Sequence, residues 1–233
     1  MAERIPLATR EVRWFFEGAV DRHGSLKRWF EEFAPFERDP GVGPPVWRSR
    51  LGDQPDIYIL VPSGDDMGIK WREGELQIKG RVSCSGTQIF CGRHQGKIER
   101  WVKWSYAGIP AAYRQLFTAG EETGLLTAAV RKTRALRKLR LDTFTGEAQE
   151  IDPGIFIDRG LHFDLTNLEV AGKTYCSLAV EAYPDDSAMD AAFTGAIEAF
   201  LNGLAEPALS ATQSQSYPSF LRDLIERTGR GLS

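Results

Sequence analysis

The stretch Gly68-Ile-Lys-Trp-Arg-Glu-Gly-Glu-Leu-Gln-Ile-Lys-Gly-Arg-Val82 decides the fold. Side chains alternate faces along a strand, and here cations alternate with large apolar residues. Gly68–Arg72 and Glu75–Val82 form two strands around a turn at Glu73-Gly74. A two-residue turn sets Arg72 opposite Glu75 and Lys70 opposite Gln77. Lys70, Arg72, Lys79 and Arg81 then share one face, and Ile69, Trp71, Leu76 and Ile78 the other. For an isolated hairpin the plain reading is a basic side facing water.

The same alternation recurs along the chain. Glu11 and Arg13 lie opposite Val12, Trp14 and Phe16. Glu99, Trp101 and Lys103 share a face, as do Lys132 and Arg134, and further on Lys138, Arg140 and Asp142. Ser177, Ala179 and Glu181 form a late set in which Glu181 stands alone in an apolar strand. Around these strands, Ser25–Phe33 reads as a short helix capped by Ser25. Pro110–Phe117 and Glu121–Leu126 carry helix formers. Val130–Leu141 is one strand or two, and Ile155–Val170 and Lys173–Tyr183 are joined at Ala171-Gly172. Asp190–Leu204 has apolar residues at helical spacing. Glu206–Pro218 reads as a polar linker before a short helix at Phe220–Thr228. The fold class is therefore α+β, mainly antiparallel β. About eight strands with flanking helices suit a closed barrel, which removes sheet edges. An open sheet packed by helices is the alternative. The expected division is a barrel domain over residues 1–204 and a linker with a short helix over 205–233.

Composition narrows the function. The chain has 233 residues, 42% apolar and 26% charged, enough for a sizeable core. A net charge of -3 argues against a general nucleic-acid binder, although the run Arg131–Arg140 is basic. No segment is apolar enough to span a bilayer. Three cysteines, an odd number, fit a reducing compartment, and the cytoplasm is the expected location. Cys84, Cys91 and His94 lie close together, but zinc needs a fourth ligand. Two ordinary thiols and a surface histidine are the expected outcome. The oligomeric state is not legible.

Several basic faces lining one barrel would repel one another if the interior were empty, because buried charges need partners. An anion supplies that partner: Arg gives paired hydrogen bonds to phosphate oxygens, Lys a mobile charge. Carboxylates among the cations can hold a divalent metal that bridges phosphate oxygens.

The order of parts resembles the CYTH, or triphosphate tunnel metalloenzyme, superfamily. The likeness runs over residues 8–204. It is carried by Glu11-Val-Arg13, Lys70-Trp-Arg72, Gln77-Ile-Lys79, Lys132-Thr-Arg134, Leu139-Arg-Leu-Asp142 and Leu178-Ala-Val-Glu181. The resemblance implies an eight-stranded barrel that binds a triphosphate or other polyphosphate-containing molecule with Mg2+ or Mn2+. Arg13, Lys70, Arg72, Lys79, Lys103, Lys132 and Arg134 would hold the substrate. Glu11 and Glu181 would be the catalytic, metal-holding carboxylates. The opening departs from the family's Glu-x-Glu-x-Lys, since Arg13 and Phe15 stand at its second and third positions. A two-carboxylate metal site at the start of the barrel is thus lost. Three functions follow: a metal-dependent triphosphatase, a non-catalytic binding module for an anionic metabolite, or a scaffold that recruits a protein through the tail containing Ser216–Leu221.

Overall fold

The structure, a computed structural model, describes residues 6–49, 54–61, 64–110, 112–113, 115, 126–142, 145 and 147–228. The elements are β1 (Leu7–Glu17), a 3-10 turn at Val20–Arg22, α1 (Gly24–Glu32), β2 (Glu37–Arg38), β3 (Trp47–Ser49) and β4 (Asp56–Ile59). They continue with β5 (Met67–Arg72), β6 (Glu75–Phe90), β7 (His94–Tyr106), β8 (Thr127–Leu141) and β9 (Ala148–Ile151). Last come β10 (Gly160–Val170), β11 (Lys173–Tyr183), α2 (Ser187–Leu201) and α3 (Tyr217–Thr228).

The opening hairpin forms in the expected register, Arg72 against Glu75 and Lys70 against Gln77. Glu73 and Gly74 both take positive φ, 48° and 79°, the twist that a two-residue hairpin turn needs. Glu73 accepts this conformation although it has a Cβ. From this pair the sheet continues on both sides: β6 to β7 to β1 to β11 in one direction, β5 to β4 to β8 in the other. β8 pairs with β10 and β10 with β11, closing eight antiparallel strands into a barrel. β3 and β9 pair with β8 alongside β4, and β2 runs parallel to β9. Of the two alternatives for Val130–Leu141, the structure has the single strand, β8.

The outer face of the barrel is the larger core. Val12, Trp14, Phe16, Phe163, Leu165, Leu178 and Val180 meet Leu26, Trp29 and Phe30 of α1 and Phe193, Ile197 and Phe200 of α2. Trp29 and Phe200 sit 4.5 Å apart between the two helices. Arg137, also fully buried, pairs with Glu150 of β9 and donates to the Phe33 carbonyl at 2.5 Å, tying off the end of α1.

Several boundaries differ from the sequence reading. Ser25 does not cap α1: the capping position is His23, with no side-chain hydrogen bond. The strand expected from Ile155 starts at Gly160, because Asp152–Gly154 turns on its own hydrogen bond, Asp152 Oδ1 accepting from the Gly154 N–H at 2.7 Å. The helix expected at Asp190–Leu204 begins at Ser187, where Asp186 accepts from the Met189 N–H. The helices expected at Pro110–Phe117 and Glu121–Leu126 fall largely outside the described residues.

The largest difference is the tail. Glu206–Pro218 is no free linker. Its residues 213–215 pair along the part of β1 that β7 leaves open: the Phe15 N–H donates to the Gln213 carbonyl and the Gln215 N–H to the Arg13 carbonyl. On the other side, Ser214 Oγ accepts from the Lys97 N–H of β7. The chain then turns inward, and α3 fills one end of the barrel. Phe220, Leu221 and Leu224 pack on the inner-face residues Phe15, Tyr58, Leu60, Val130, Leu168 and Tyr175. The polar composition of the tail concealed this role, because Ser214 and Ser216 are buried by satisfying backbone and side-chain partners.

Candidate functional site

Above this floor lies a cavity of about 870 Å³. Four of the surrounding strands are apolar where α3 sits and turn polar further along. On β1 the inward series runs Phe15, Arg13, Glu11; on β11 Tyr175, Ser177, Ala179, Glu181; on β10 Leu168, Thr166, Asp164. On β8 it runs Val130, Lys132, Arg134, Leu136. The two-residue period of a strand carries both the interior face and this change of character.

All the candidate residues read from the sequence reach the cavity wall: Glu11, Arg13, Lys70, Arg72, Lys79, Lys103, Lys132, Arg134 and Glu181. Trp101 and Gln77 also line it. Three basic or acidic residues of the β8 pattern do not. Lys138 donates to the Ile155 carbonyl at 2.6 Å, Arg140 is exposed near Asp39, and Asp142 lies past the strand's end. Glu99 is buried against Arg81 at 2.8 Å and is likewise off the wall.

The charges fall into three groups. In the first, Lys79 Nζ lies 2.5 Å from Glu11 Oε2 and 3.1 Å from Glu181 Oε1. Glu11 and Glu181 are direct cross-strand partners. Burial raises the Glu181 carboxyl pKa, but Lys79 and the nearby His162 outweigh it and hold the group well below the usual range. His162 itself is pushed down to about 4, chiefly by burial, and shares a hydrogen bond with the Tyr183 hydroxyl.

The second group centres on Asp56, a fully buried residue at the start of β4 that was not among the site residues expected from the sequence. It accepts two hydrogen bonds from Arg72, at 3.0 and 2.6 Å, and stands 3.0 Å from Lys132 Nζ. Burial opposes its charge, but Lys132 and Arg72 prevail and keep it ionised. Lys132 donates to the Tyr58 hydroxyl at 2.6 Å and lies 3.9 Å over the Tyr217 ring. Burial lowers its pKa to about 7, with Asp56 opposing the fall and Arg72 adding to it. Tyr58 and Tyr217 were also missed. Tyr58 belongs to the inner period of β4, whereas Tyr217 reaches the site from α3, far along the chain.

The third group is cationic, and among the described residues only Arg134 in it has a carboxylate within ion-pair distance. Lys70 and Lys103 have no ion pair among the described residues. Burial pulls both amines below the ordinary lysine value; for Lys70, Arg72 and Lys132 add repulsion. Arg13 reaches Ser177 Oγ at 3.3 Å and lies 4.7 Å over Tyr217, yet its buried Nε has no hydrogen-bond partner. Arg134, half-exposed, is 3.3 Å from Asp164. Of the remaining lining acids, Glu150 serves Arg137 and Arg38, Glu75 accepts from Gln77 Nε2 at 3.2 Å, and Glu73 and Asp152 are exposed.

A divalent metal would need Glu11 and Glu181 together, and Lys79 already occupies the position between them. As arranged, the pair does not fit Mg2+ or Mn2+. Among the described residues no group of three or more His, Cys, Asp or Glu side chains could hold a metal ion. The three cysteines are free. His94, expected at the surface, is fully buried, and its Nδ1 accepts from the Leu209 N–H of the tail. No helix among the described residues is long and apolar enough to cross a membrane. No family model, curated protein or solved structure matches this chain.

Proposed function

We propose that the barrel is a binding module for a polyphosphate or phosphorylated organic anion, held in its basic interior without a metal. The observation that carries this reading is the set Lys70, Lys103 and Arg13: inward cations on one cavity with donors left over. Leaving such groups dry costs free energy, and an anion removes that cost. Lys79 supports the metal-free form, since it neutralises Glu11 and Glu181 from within the chain. The reading makes the chain a diverged relative of the triphosphate tunnel barrels and places it in the cytoplasm, where phosphorylated metabolites and free thiols coexist.

Metal-dependent hydrolysis of a triphosphate is the second reading, favoured by the adjacency of Glu11 and Glu181. It requires Lys79 to leave those carboxylates. Thermal unfolding with tripolyphosphate, with Mg2+, Mn2+ or a chelator, separates the two. Ligand at a hundred times its Kd stabilises a protein by about 2.7 kcal/mol. Stabilisation in chelator without phosphate release is the expected result. Stabilisation only with metal, with release of phosphate that Glu181→Gln abolishes, would establish hydrolysis. No stabilisation under any condition would remove the phosphate reading.

A further inference from the structure

We infer that the ligand is amphipathic: a soluble phosphate ester whose hydrocarbon group lies at the cavity mouth while its phosphates reach the cations. This rests on the anion reading above and adds the chemistry of the ligand's other end.

The gradient along β8 motivates it. After Lys132 and Arg134 the next lining residue is the apolar Leu136. At that end the wall is completed by Val42-Gly-Pro-Pro-Val46 and by Ile151, Pro153 and Gly154; the polar residues beside them are Arg48 and Ser49 of β3, Glu150, which is held by Arg137 and Arg38, and the exposed Asp152. Between residues 42 and 46 there is no polar side chain, and Pro44 and Pro45 also lack N–H donors. The Val42–Val46 segment offers little to a nucleobase or sugar, which are recognised through hydrogen bonds, and much to a hydrocarbon. Val46 is 62% exposed, so apolar surface stands open where this segment lines the cavity. The cavity volume falls in the range of sites that hold drug-sized organic molecules, beyond what a bare phosphate fills. Charge complementarity orients the occupant: phosphate toward Lys70, Lys103 and Arg13, hydrocarbon toward Leu136 and Val46.

Titration calorimetry of the full chain with n-alkyl phosphates of increasing length, kept below their micelle concentrations, tests the inference. Inorganic phosphate, tripolyphosphate and ATP serve as references. Each added methylene should tighten binding about three- to fourfold until the mouth is filled. Val46→Asn, a neutral polar change at the cavity mouth, should flatten that series, weakening the long-chain esters more than inorganic phosphate or tripolyphosphate. Tripolyphosphate binding with no dependence on alkyl length would overturn the amphipathic ligand and leave the anion reading intact. Failure of every anion to bind would sink the anion reading itself, and this inference with it. Co-sedimentation with phosphatidic acid vesicles, coupled with no binding of the short esters, would replace the soluble ester with a membrane lipid.

Discussion

Arg72 meets Asp56 through two parallel hydrogen bonds, Nε to Oδ1 at 3.0 Å and Nη2 to Oδ2 at 2.6 Å. The pairing fixes a planar guanidinium on the cavity wall and leaves one carboxylate serving two cations, Arg72 and Lys132. Removing one partner of a buried ion pair costs more than the pair contributes, because the remaining charges lose compensation. Asp56→Ala should therefore destabilise the protein by about 3 kcal/mol in urea unfolding. Tripolyphosphate should recover part of that loss, since it replaces the missing negative charge. An unchanged midpoint would contradict the role of Asp56.

Lys132 gives the site a pH dependence near neutrality. With its pKa at about 7, it is largely charged at pH 6 and largely neutral at pH 8. An anion that binds only the charged form should lose about tenfold in affinity between those values. Sulfate, whose own charge is fixed over this range, is the suitable probe. Lys132→Met should flatten the profile and weaken binding at pH 6.

Acid should act on stability through Asp56 and Glu181. Both have folded-state pKa values below their unfolded values, so their contribution is fully present above about pH 4, the unfolded carboxylate range. It is lost as pH falls further and the folded groups protonate. Urea midpoints should hardly change from pH 7 to pH 5 on account of these two residues, and should fall steeply below pH 4. Glu181→Gln should make the acid limb shallower.

The Leu221 side chain tests the floor of the barrel without touching the charged wall. Leu221 of α3 is fully buried among Phe15, Val130 and Leu168. Leu221→Ala should cost about 2–5 kcal/mol, as large-to-small changes in packed cores do. Deleting residues 206–233 should cost more and expose apolar surface to a dye such as ANS. A truncated chain of unchanged stability would mean that the tail serves recruitment instead of packing.

What was legible in the sequence follows from what is local. The Glu73-Gly74 turn fixes one register, and a period of two then assigns Lys70, Arg72 and Lys79 to one face without knowledge of any other strand. The same argument brought Glu11, Arg13, Lys103, Lys132, Arg134 and Glu181 to the wall. Asp56 was missed because a carboxylate at a strand end reads as a boundary until its partners Arg72 and Lys132 are known to converge on it. Lys79 was read as a phosphate ligand. Its bridge between Glu11 and Glu181 depends on contacts 68 and 102 residues apart in the chain, beyond any local pattern. Tyr217 and the buried serines before it were hidden for the same reason: polar composition reports solvent only when nothing else supplies the hydrogen bonds.

The insertion of residues 213–215 between β1 and β7 has a consequence for how the molecule assembles. β1 is synthesised early, yet its wall partners arrive late; Arg13 and Ser177 are 164 residues apart. Until β11 and then α3 are available, the inner face of β1 remains in water, where Glu11 and Arg13 are well solvated and not costly. Desolvation of the charged wall is thus deferred to the final stage of folding, when the partners that neutralise it are already in place. A chain of such distant pairings should fold slowly, with barrel closure and docking of the floor as its latest events.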